Sequence, residues 1–310
     1  MKARNKVTII GAGNIGSTIA HMVAQQEMAD VVMVDVVQGM PQGKALDLFE
    51  SAPIEGYDVK MLGTNTYEET EDSDVIVITA GMTRKPGMSR DDLLYKNAEI
   101  MADVVKKCAP LSKNAKIIVV SNPLDIMTYV AYKISGFIPN RVIGMAGVLD
   151  SARFSSFVAN AANVSVSDVS SLVLGGHGDS MIPLIRYCTI SGIPITNFLD
   201  AAKIKSISNR TRLAGGEIVN ILKTSAYYSP ATSVVSMIKA ILCNKRRVIT
   251  CAAHLSGEYG LDDLYIGVPV VLGRNGVEKV IELELEDGEK KVLQTTADSI
   301  KAQIAKLSGF

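Results

Sequence analysis

Hydrophobic positions in the first half of the chain form short, continuous β-prone runs separated by amphipathic stretches. The runs are short enough to be strands, and the stretches between them have helical periodicity. Strands that alternate with helices indicate a parallel sheet with right-handed crossovers. The predicted strands are residues 7–10, 31–34, 59–62, 74–80, 116–120 and 141–143, and the predicted helices are 17–26, 40–49 and 91–107.

The pattern changes in the second half, where helices gather apart from the strands. This arrangement is typical of an α+β unit, which we expect to pack against the parallel sheet. Its predicted helices are residues 150–163, 208–225, 231–242 and 295–306, and its strands are 248–252, 268–272 and 277–285. We therefore divide the chain into two domains, at residues 1–145 and 146–310.

Three glycines follow the first strand directly and lead into the first helix. The N–H groups and dipole of a helix that begins this way attract an anion. Gly11 allows the tight turn, Gly13 lets a pyrophosphate approach the backbone, and Gly16 lets the helix pack against its strand. Asp35, at the end of the second strand, is placed to bind ribose hydroxyls and to repel a 2′-phosphate, which favours NAD over NADP. The alternative is an ordinary glycine turn with a solvated aspartate.

Basic and amide side chains follow two later strands at the same predicted edge of the sheet. The loop 81–90 carries Arg84, Lys85 and Arg90. Such a loop can capture an anion and close over a site, although a solvated basic loop has the same composition. Asn122 follows the strand at 116–120 and presents a free amide donor.

Three further residues have a setting that suits acid–base chemistry. Asp150 and Arg153 are three positions apart on a predicted helix and share a face, as a surface ion pair also would. His177 lies between glycines after an apolar run, where a ligand can approach closely. The other histidines, His21 and His254, lie in a helix and after an apolar run, so His177 is the candidate acid/base.

Composition narrows the class of protein. The 310 residues are 47% hydrophobic and 21% charged, and 32 basic residues balance 32 acidic ones. Without excess positive charge, nucleic acid is not an expected partner, and no membrane span or secretory segment is predicted. The cysteines lie far apart, which indicates free thiols in a reducing compartment, no metal site, and a cytoplasmic location. They are Cys108, Cys188, Cys243 and Cys251.

Five motifs, in this order, resemble those of the lactate/malate dehydrogenase superfamily. The resemblance extends from Val7 to about Leu285 and implies a Rossmann doubly wound parallel sheet with a C-terminal α+β substrate domain. It also implies NAD as the cofactor and a homodimer or homotetramer. The motifs are Gly11-Ala12-Gly13-Asn14-Ile15-Gly16, Thr79-Ala80-Gly81, Val120-Ser121-Asn122-Pro123, Leu149-Asp150-Ser151-Ala152-Arg153 and His177-Gly178-Asp179-Ser180.

The resemblance also implies roles for individual residues. His177 corresponds to the acid/base, Asp150 to its partner, Arg153 to the anchor of the substrate carboxylate, and Arg90 to the arginine that polarises the carbonyl. Asn122 is expected to contact both the substrate and the cofactor. The implied cofactor-binding residues are Gly11, Ala12, Gly13, Asn14, Ile15, Gly16, Asp35, Asn97, Val120, Ser121 and Asn122.

Arg84 separates the branches of this superfamily. Lactate enzymes tend to have glutamine there, so Arg84 makes the chain resemble the malate dehydrogenases of the lactate-dehydrogenase-like branch. The charges of the two substrates support the same assignment. Pyruvate would leave Arg84 unpaired in a closed site, whereas the second carboxylate of oxaloacetate would pair with it. We expect reversible oxidation of (S)-malate to oxaloacetate, a step of the tricarboxylic acid cycle. The alternatives are a lactate or broader 2-hydroxyacid dehydrogenase and a non-catalytic NAD-binding protein.

Overall fold

The structure is a computed structural model that describes residues 4–82 and 87–307. In its first half, helices and strands alternate as expected. The strands are β1 (Lys6–Ile10), β2 (Asp30–Val34), β3 (Met61–Thr64), β4 (Val75–Ile78), β5 (Lys116–Val119) and β6 (Val142–Gly144). The helices are α1 (Asn14–Gln25), α2 (Met40–Glu55), α3 (Arg90–Cys108) and α4 (Leu124–Ser135).

These six strands pair in parallel in the order β6-β5-β4-β1-β2-β3. Residues of β4 are buried along its whole length, as expected for a strand covered on both faces. From β1 the chain continues through β2 to β3 on one side of the sheet, and from β4 it continues through β5 to β6 on the other side. The direction of strand order therefore reverses between β1 and β4. Ligands of such sheets bind beyond the carboxyl ends of the strands at this switch point, which here brings Gly11 and Thr79 together.

The second half, as far as residue 307, contains one long hairpin, several short strands and four α-helices. The helices are α5 (Gly147–Ala162), α6 (Ala201–Leu222), α7 (Tyr228–Leu242) and α8 (Asp287–Lys306). The strands are β7 (Val169–Ser170), β8 (Val173–Leu174), β9 (Ile182–Pro183), β10 (Thr189–Ile190), β11 (Ile193–Pro194), β12 (Arg247–Ser256), β13 (Asp262–Gly273) and β14 (Gly276–Val280).

Strands β12, β13 and β14 are antiparallel and extend the large sheet to nine strands. The connection is the pairing of Ala252 with Gly144 of β6. A Cβ on Gly144 would lie 2.8 Å from the Cβ of Ala252, so the glycine permits this close approach. The sequence pattern placed these strands in a unit packed against the sheet, whereas the structure joins them to its β6 edge.

Several second-half elements have bounds different from those predicted. Helix α8 starts at Asp287 rather than Thr295, because Glu286 and Glu289 form a capping box. Helix α6 starts at Ala201 rather than at 208, since the Asp200 side chain caps it. The polar first turn of α8 hides its start from a search for apolar periodicity, whereas the first turn of α6 is mostly apolar and only its cap was overlooked. Strand β14 ends at Val280, short of the predicted 285.

Helix α5 lies between two apolar clusters. Its buried Leu149 belongs to the main core, which also contains the buried strands of the large sheet. Phe154 and Val158, on the same helix, belong to a second cluster with residues of α6. Contacts with both clusters fix the rotation of α5 and thus the direction in which its polar residues point.

Over residues 4–82 and 87–307, no helix combines the length and apolar character that crossing a bilayer requires. The histidine, cysteine and acidic side chains of the same ranges form no cluster of three suited to a metal ion.

Candidate active site

The turn between β1 and α1 is built on close backbone contacts. Gly11 has a φ of +106°, and a Cβ there would overlap the hydroxyl of Thr79. A Cβ on Gly16 would overlap the carbonyl oxygen of Gly11, so α1 can pack here only with glycine. Around Gly13, the N-cap of α1, a Cβ would meet no atom of the described residues within 4 Å, apart from its neighbours in the chain. Gly13 therefore leaves open the space that a phosphate at this helix terminus would use.

Asp35 and Lys44 fix the turn from either side. One oxygen of the Asp35 carboxylate accepts the N–H of Ala12 at 2.7 Å, and the other accepts that of Val37 at 3.0 Å. The ammonium of Lys44 donates to the carbonyl of Ala12 at 2.7 Å and to the Ser17 hydroxyl at 3.3 Å. Since each carboxylate oxygen has a second lone pair, Asp35 can still accept a ribose hydroxyl.

A cavity of about 690 Å³ extends from this turn across the carboxyl end of the sheet. Its walls are mostly apolar. Among the described residues that line it are the carboxylates of Asp35, Glu99 and Asp103, and none is a lysine or arginine. Lys107 pairs with Asp103 at 2.7 Å, but Asp35, the carboxylate at the glycine turn, has no ion pair among the described residues and would repel a 2′-phosphate, so the cavity suits NAD better than NADP.

A second cavity of about 410 Å³ adjoins the first and shares part of its lining, including Ile15, Gly81 and Ala226. His177 and Arg153 line this second cavity. A ligand that extends from the glycine turn would therefore reach the histidine. Of the candidate site residues, Asn97, Val120, Ser121 and Asn122 also line it.

Asp150 and His177 form a direct hydrogen bond, with Nδ1 of the imidazole 2.8 Å from Oδ2 of the carboxylate. Asp150 is only 2% exposed. A carboxylate only accepts, so Nδ1 carries the proton and Nε2 is left for the substrate. Burial lowers the pKa of His177, but the charge and hydrogen bond of Asp150, aided by Asp125, outweigh it and raise that pKa above its ordinary value.

Arg153 has an unpaired donor directed into a buried setting. Its Nη1 is 3.3 Å from Oδ1 of Asp150, whereas its Nε is buried without a hydrogen-bond partner among the described residues. A Cβ on Gly215 of α6 would lie 3.7 Å from Nη2 of Arg153, so the glycine leaves space beside the guanidinium. Because Arg153 also lines the second cavity, its guanidinium is suited to bind an anionic ligand there.

The basic loop is anchored at both described ends. The Asn97 side chain accepts the N–H of Met82 at 2.8 Å and donates to the carbonyls of Met82 at 3.1 Å and Asn122 at 2.7 Å. Ser89 forms a capping box with Asp92 at the start of α3. Asn97 thus uses its amide on backbone groups, and its contact with the cofactor stays a prediction.

The loop arginines are the part of the predicted site that the described residues do not establish. Arg84 lies outside the described residues. Arg90 is exposed at the first turn of α3 and is not among the residues lining either cavity. Its role at the carbonyl remains a prediction.

Sequence reasoning missed two charged residues at the site, Lys44 and Asp125. Lys44 lies inside α2, and nothing in its local pattern points to Ala12 of the distant turn. Asp125 accepts the backbone N–H of His177 at 3.2 Å. The available signal was an acidic residue in the first turn of a helix that follows the strand ending near Asn122.

Comparison with known proteins agrees with this geometry. The family model for the lactate/malate dehydrogenase NAD-binding domain matches residues 5–144, and that for the lactate/malate dehydrogenase alpha/beta C-terminal domain matches 147–310. The chain belongs to the lactate/malate dehydrogenase family. The fold class and the NAD cofactor predicted from the sequence are thereby confirmed.

Individual relatives are similar over nearly their whole length. A malate dehydrogenase of Roseiflexus sp. is 55% identical, and the alignment covers 99% of this chain and 100% of that protein. The structure of malate dehydrogenase from Salinibacter ruber is 54% identical with a TM-score of 0.94, covering 97% of each chain. The lactate dehydrogenase of Cryptosporidium parvum, complexed with lactic acid and NAD, is 40% identical with a TM-score of 0.96 and covers 100% of each chain.

Two glycine substitutions should separate cofactor binding from folding. Gly13→Ala should fold normally but weaken NADH binding at least about tenfold, because its Cβ fills space next to the helix terminus. Gly16→Ala should lower the free energy of unfolding by about 1–3 kcal/mol, because its Cβ meets backbone. NADH fluorescence titration and thermal unfolding measure the two effects. Wild-type NADH affinity in Gly13→Ala would contradict the assignment.

Proposed function

We propose that this chain catalyses reversible, NAD-dependent hydride transfer between (S)-malate and oxaloacetate. The observation that carries the proposal is the cluster of His177, Asp150 and Arg153 on a cavity continuous with the glycine turn. Full-length relatives at 55% identity are named malate dehydrogenase.

The described residues fit a dinucleotide. Gly13 leaves the N-terminus of α1 open, Asp35 keeps free lone pairs toward the cavity, and the two cavities adjoin between the glycine turn and His177. When bound, NADH supplies the hydride for the reduction of the carbonyl carbon, and NAD⁺ accepts it in the reverse direction.

His177 moves the proton that accompanies the hydride. Its Nε2 donates to the carbonyl oxygen of oxaloacetate and recovers the proton from the hydroxyl of malate. Asp150 stabilises the imidazolium and fixes the tautomer through Nδ1. The imidazole is therefore charged for reduction and neutral for oxidation.

Arg153 and Arg90 hold the reacting group. The guanidinium of Arg153, which lines the second cavity, can grip the C1 carboxylate with two parallel hydrogen bonds. A bidentate grip orients the substrate and selects the face presented to the hydride. We assign Arg90 to the carbonyl oxygen, where negative charge develops during reduction.

We assign the second carboxylate of oxaloacetate to Arg84. Pyruvate lacks that carboxylate and would leave the guanidinium unpaired in a closed site. An unpaired buried charge costs about 3–5 kcal/mol, of which we take the lower end because a loop stays partly hydrated. Charge at this loop is thus the proposed basis of substrate choice.

Further proposals concern organisation and context. We place the boundary between a dinucleotide-binding domain at 1–145 and a catalytic domain at 146–310, supported by the separate family models at 5–144 and 147–310. We also propose a homodimer or homotetramer that works in the cytoplasm, without nucleic-acid or membrane partners, in the tricarboxylic acid cycle. The family resemblance and the balanced charge of the chain support these assignments.

The direct test follows NADH oxidation by absorbance with oxaloacetate and pyruvate in parallel, and with NADPH in place of NADH. We expect fast turnover of oxaloacetate, and about 100-fold lower kcat/KM for pyruvate from the cost of an unpaired arginine. NADPH should react weakly because the cavity lining is acidic. A preference for pyruvate would favour a lactate or broader 2-hydroxyacid dehydrogenase, and no turnover would favour a non-catalytic NAD-binding protein.

The pH dependence should report the raised pKa of His177. Reduction needs the imidazolium, so kcat/KM for oxaloacetate should stay high through pH 6.5, the ordinary value for histidine, and fall at the higher pKa. Malate oxidation needs the neutral ring and should rise through the same pKa.

Asp150→Asn should lower that pKa and reduce kcat by about 100-fold or more, because the imidazolium loses its partner. Asp168→Asn, which removes an exposed carboxylate, is the control and should leave both quantities unchanged. An unshifted pH profile in Asp150→Asn would refute the pairing as the source of the raised pKa.

Arg84→Gln should reverse part of the substrate preference. We expect kcat/KM for oxaloacetate to fall by about 100-fold and the ratio of pyruvate to oxaloacetate activity to rise, because the guanidinium partner is lost. Lys85→Gln removes the neighbouring cation and should keep the wild-type ratio. Unchanged selectivity in Arg84→Gln would remove Arg84 from the substrate site.

A further inference from the structure

A second buried carboxyl group, that of Asp125, lies next to the acid/base. Asp125 is in the first turn of α4, three residues after Asn122, and is 6% exposed. Nothing in the mechanism above uses it. A buried ionisable group beside a catalytic histidine costs desolvation energy, so its presence calls for a compensating interaction.

The Asp125 side chain contacts the backbone of His177. Its Oδ2 accepts the N–H of His177 at 3.2 Å, and its Oδ1 is buried without a partner among the described residues. A Cβ on Gly176 would lie 3.5 Å from Oδ2 on one side and 2.8 Å from the methyl group of Thr296 in α8 on the other. The turn at Gly176 is thus enclosed between α4 and α8, with Asp125 as its hydrogen-bond acceptor.

The charged groups acting on His177 come from two helices. Asp150 and Arg153 belong to α5, and Asp125 belongs to α4; the two carboxylates favour the imidazolium and the arginine opposes it. From α8, the neighbour at the turn is the uncharged Thr296.

Asp125 is ionised in the range where the imidazole titrates. Burial raises the pKa of Asp125 to about 6, an effect that the positive charge and backbone N–H of His177 partly offset. The pKa of His177 is raised above its ordinary 6.5. In neutral solution the carboxylate is therefore negative, and the position of Asp125 near the N-terminus of α4 favours that form.

We propose that Asp125 is a positioning residue for His177: its carboxylate fixes the backbone of the histidine, and its negative charge acts with Asp150 to keep the imidazole protonated for ketone reduction. The proposal rests on His177 being the acid/base of the proposed function. A neutral asparagine could accept the same N–H at a lower desolvation cost, so charge is the property that a carboxylate adds.

Asp125→Asn separates the two effects, because it keeps an acceptor for the N–H and removes the charge. We expect the pKa of His177 to fall by about one unit, as for loss of a nearby opposite charge. Oxaloacetate reduction should keep its wild-type kcat/KM on the acidic plateau and lose activity at lower pH than the wild type. Asp125→Ala removes the acceptor as well and should lower kcat across the whole pH range.

The pKa is read directly by NMR on enzyme labelled at the histidine Cε1 carbons. The chain has only three histidines, and His177→Asn identifies the relevant signal. Asp263→Asn is the matched control, because Asp263 pairs with His254 at 3.2 Å. Position 263 has a φ of 48°, which asparagine tolerates. This control should alter the signal of His254 and leave the titration of His177 unchanged.

An unchanged pKa of His177 in folded Asp125→Asn would overturn the proposal and reduce Asp125 to a backbone anchor. The NMR titration needs no turnover, so its result does not depend on whether the proposed function is correct. If the pKa shifts as expected but wild-type enzyme fails to reduce oxaloacetate, the positioning of His177 holds and the proposed function is wrong.

Discussion

The hydrogen bond between Asp150 and His177 is the interaction on which the rest of the site depends. A carboxylate that is 2% exposed is stable beside the imidazole only because both groups are held at 2.8 Å and Arg153 contacts the other oxygen. The two groups keep this distance only if α5 is held at one rotation about its axis. Leu149 and Phe154 fix that rotation, because they pack into two different apolar clusters. Packing of this helix is therefore a condition for the proton transfer that we propose for His177.

Hydride transfer sets a second condition, because the histidine must stand at a fixed distance from the glycine turn. The large sheet meets it by continuing from the parallel strands into β12 and β13 through the pairing of Gly144 with Ala252. The backbone of Gly175 pairs in turn with Gly267 of β13. The chain segment that leads to His177 is thus hydrogen-bonded to the same sheet that carries Gly11 at its carboxyl edge.

Sequence reasoning predicted the features that are encoded by residues close together in the chain. A β-prone run, glycines at fixed spacing and an aspartate after the next strand define the cofactor turn locally, and the ordered motifs locate His177 and Arg153. Lys44 and Asp125 act on residues far away in the chain, Ala12 and His177, and only the packing of α2 and α4 brings them there. Starts of α6 and α8 were misplaced because capping residues, rather than apolar periodicity, begin those helices.

Fold cannot explain the choice of substrate, because the lactate dehydrogenase of Cryptosporidium parvum superimposes with a TM-score of 0.96. Charge can. In the proposed closed site, three arginines and the imidazolium face the carboxylate of Asp150, and oxaloacetate then leaves one positive charge uncompensated. Including the Asp125 carboxylate makes the site with oxaloacetate neutral, whereas pyruvate leaves one excess positive charge. Because hydride and proton both move within the site, the same neutrality holds for NAD⁺, neutral histidine and malate, so neither direction leaves an uncompensated charge out of water.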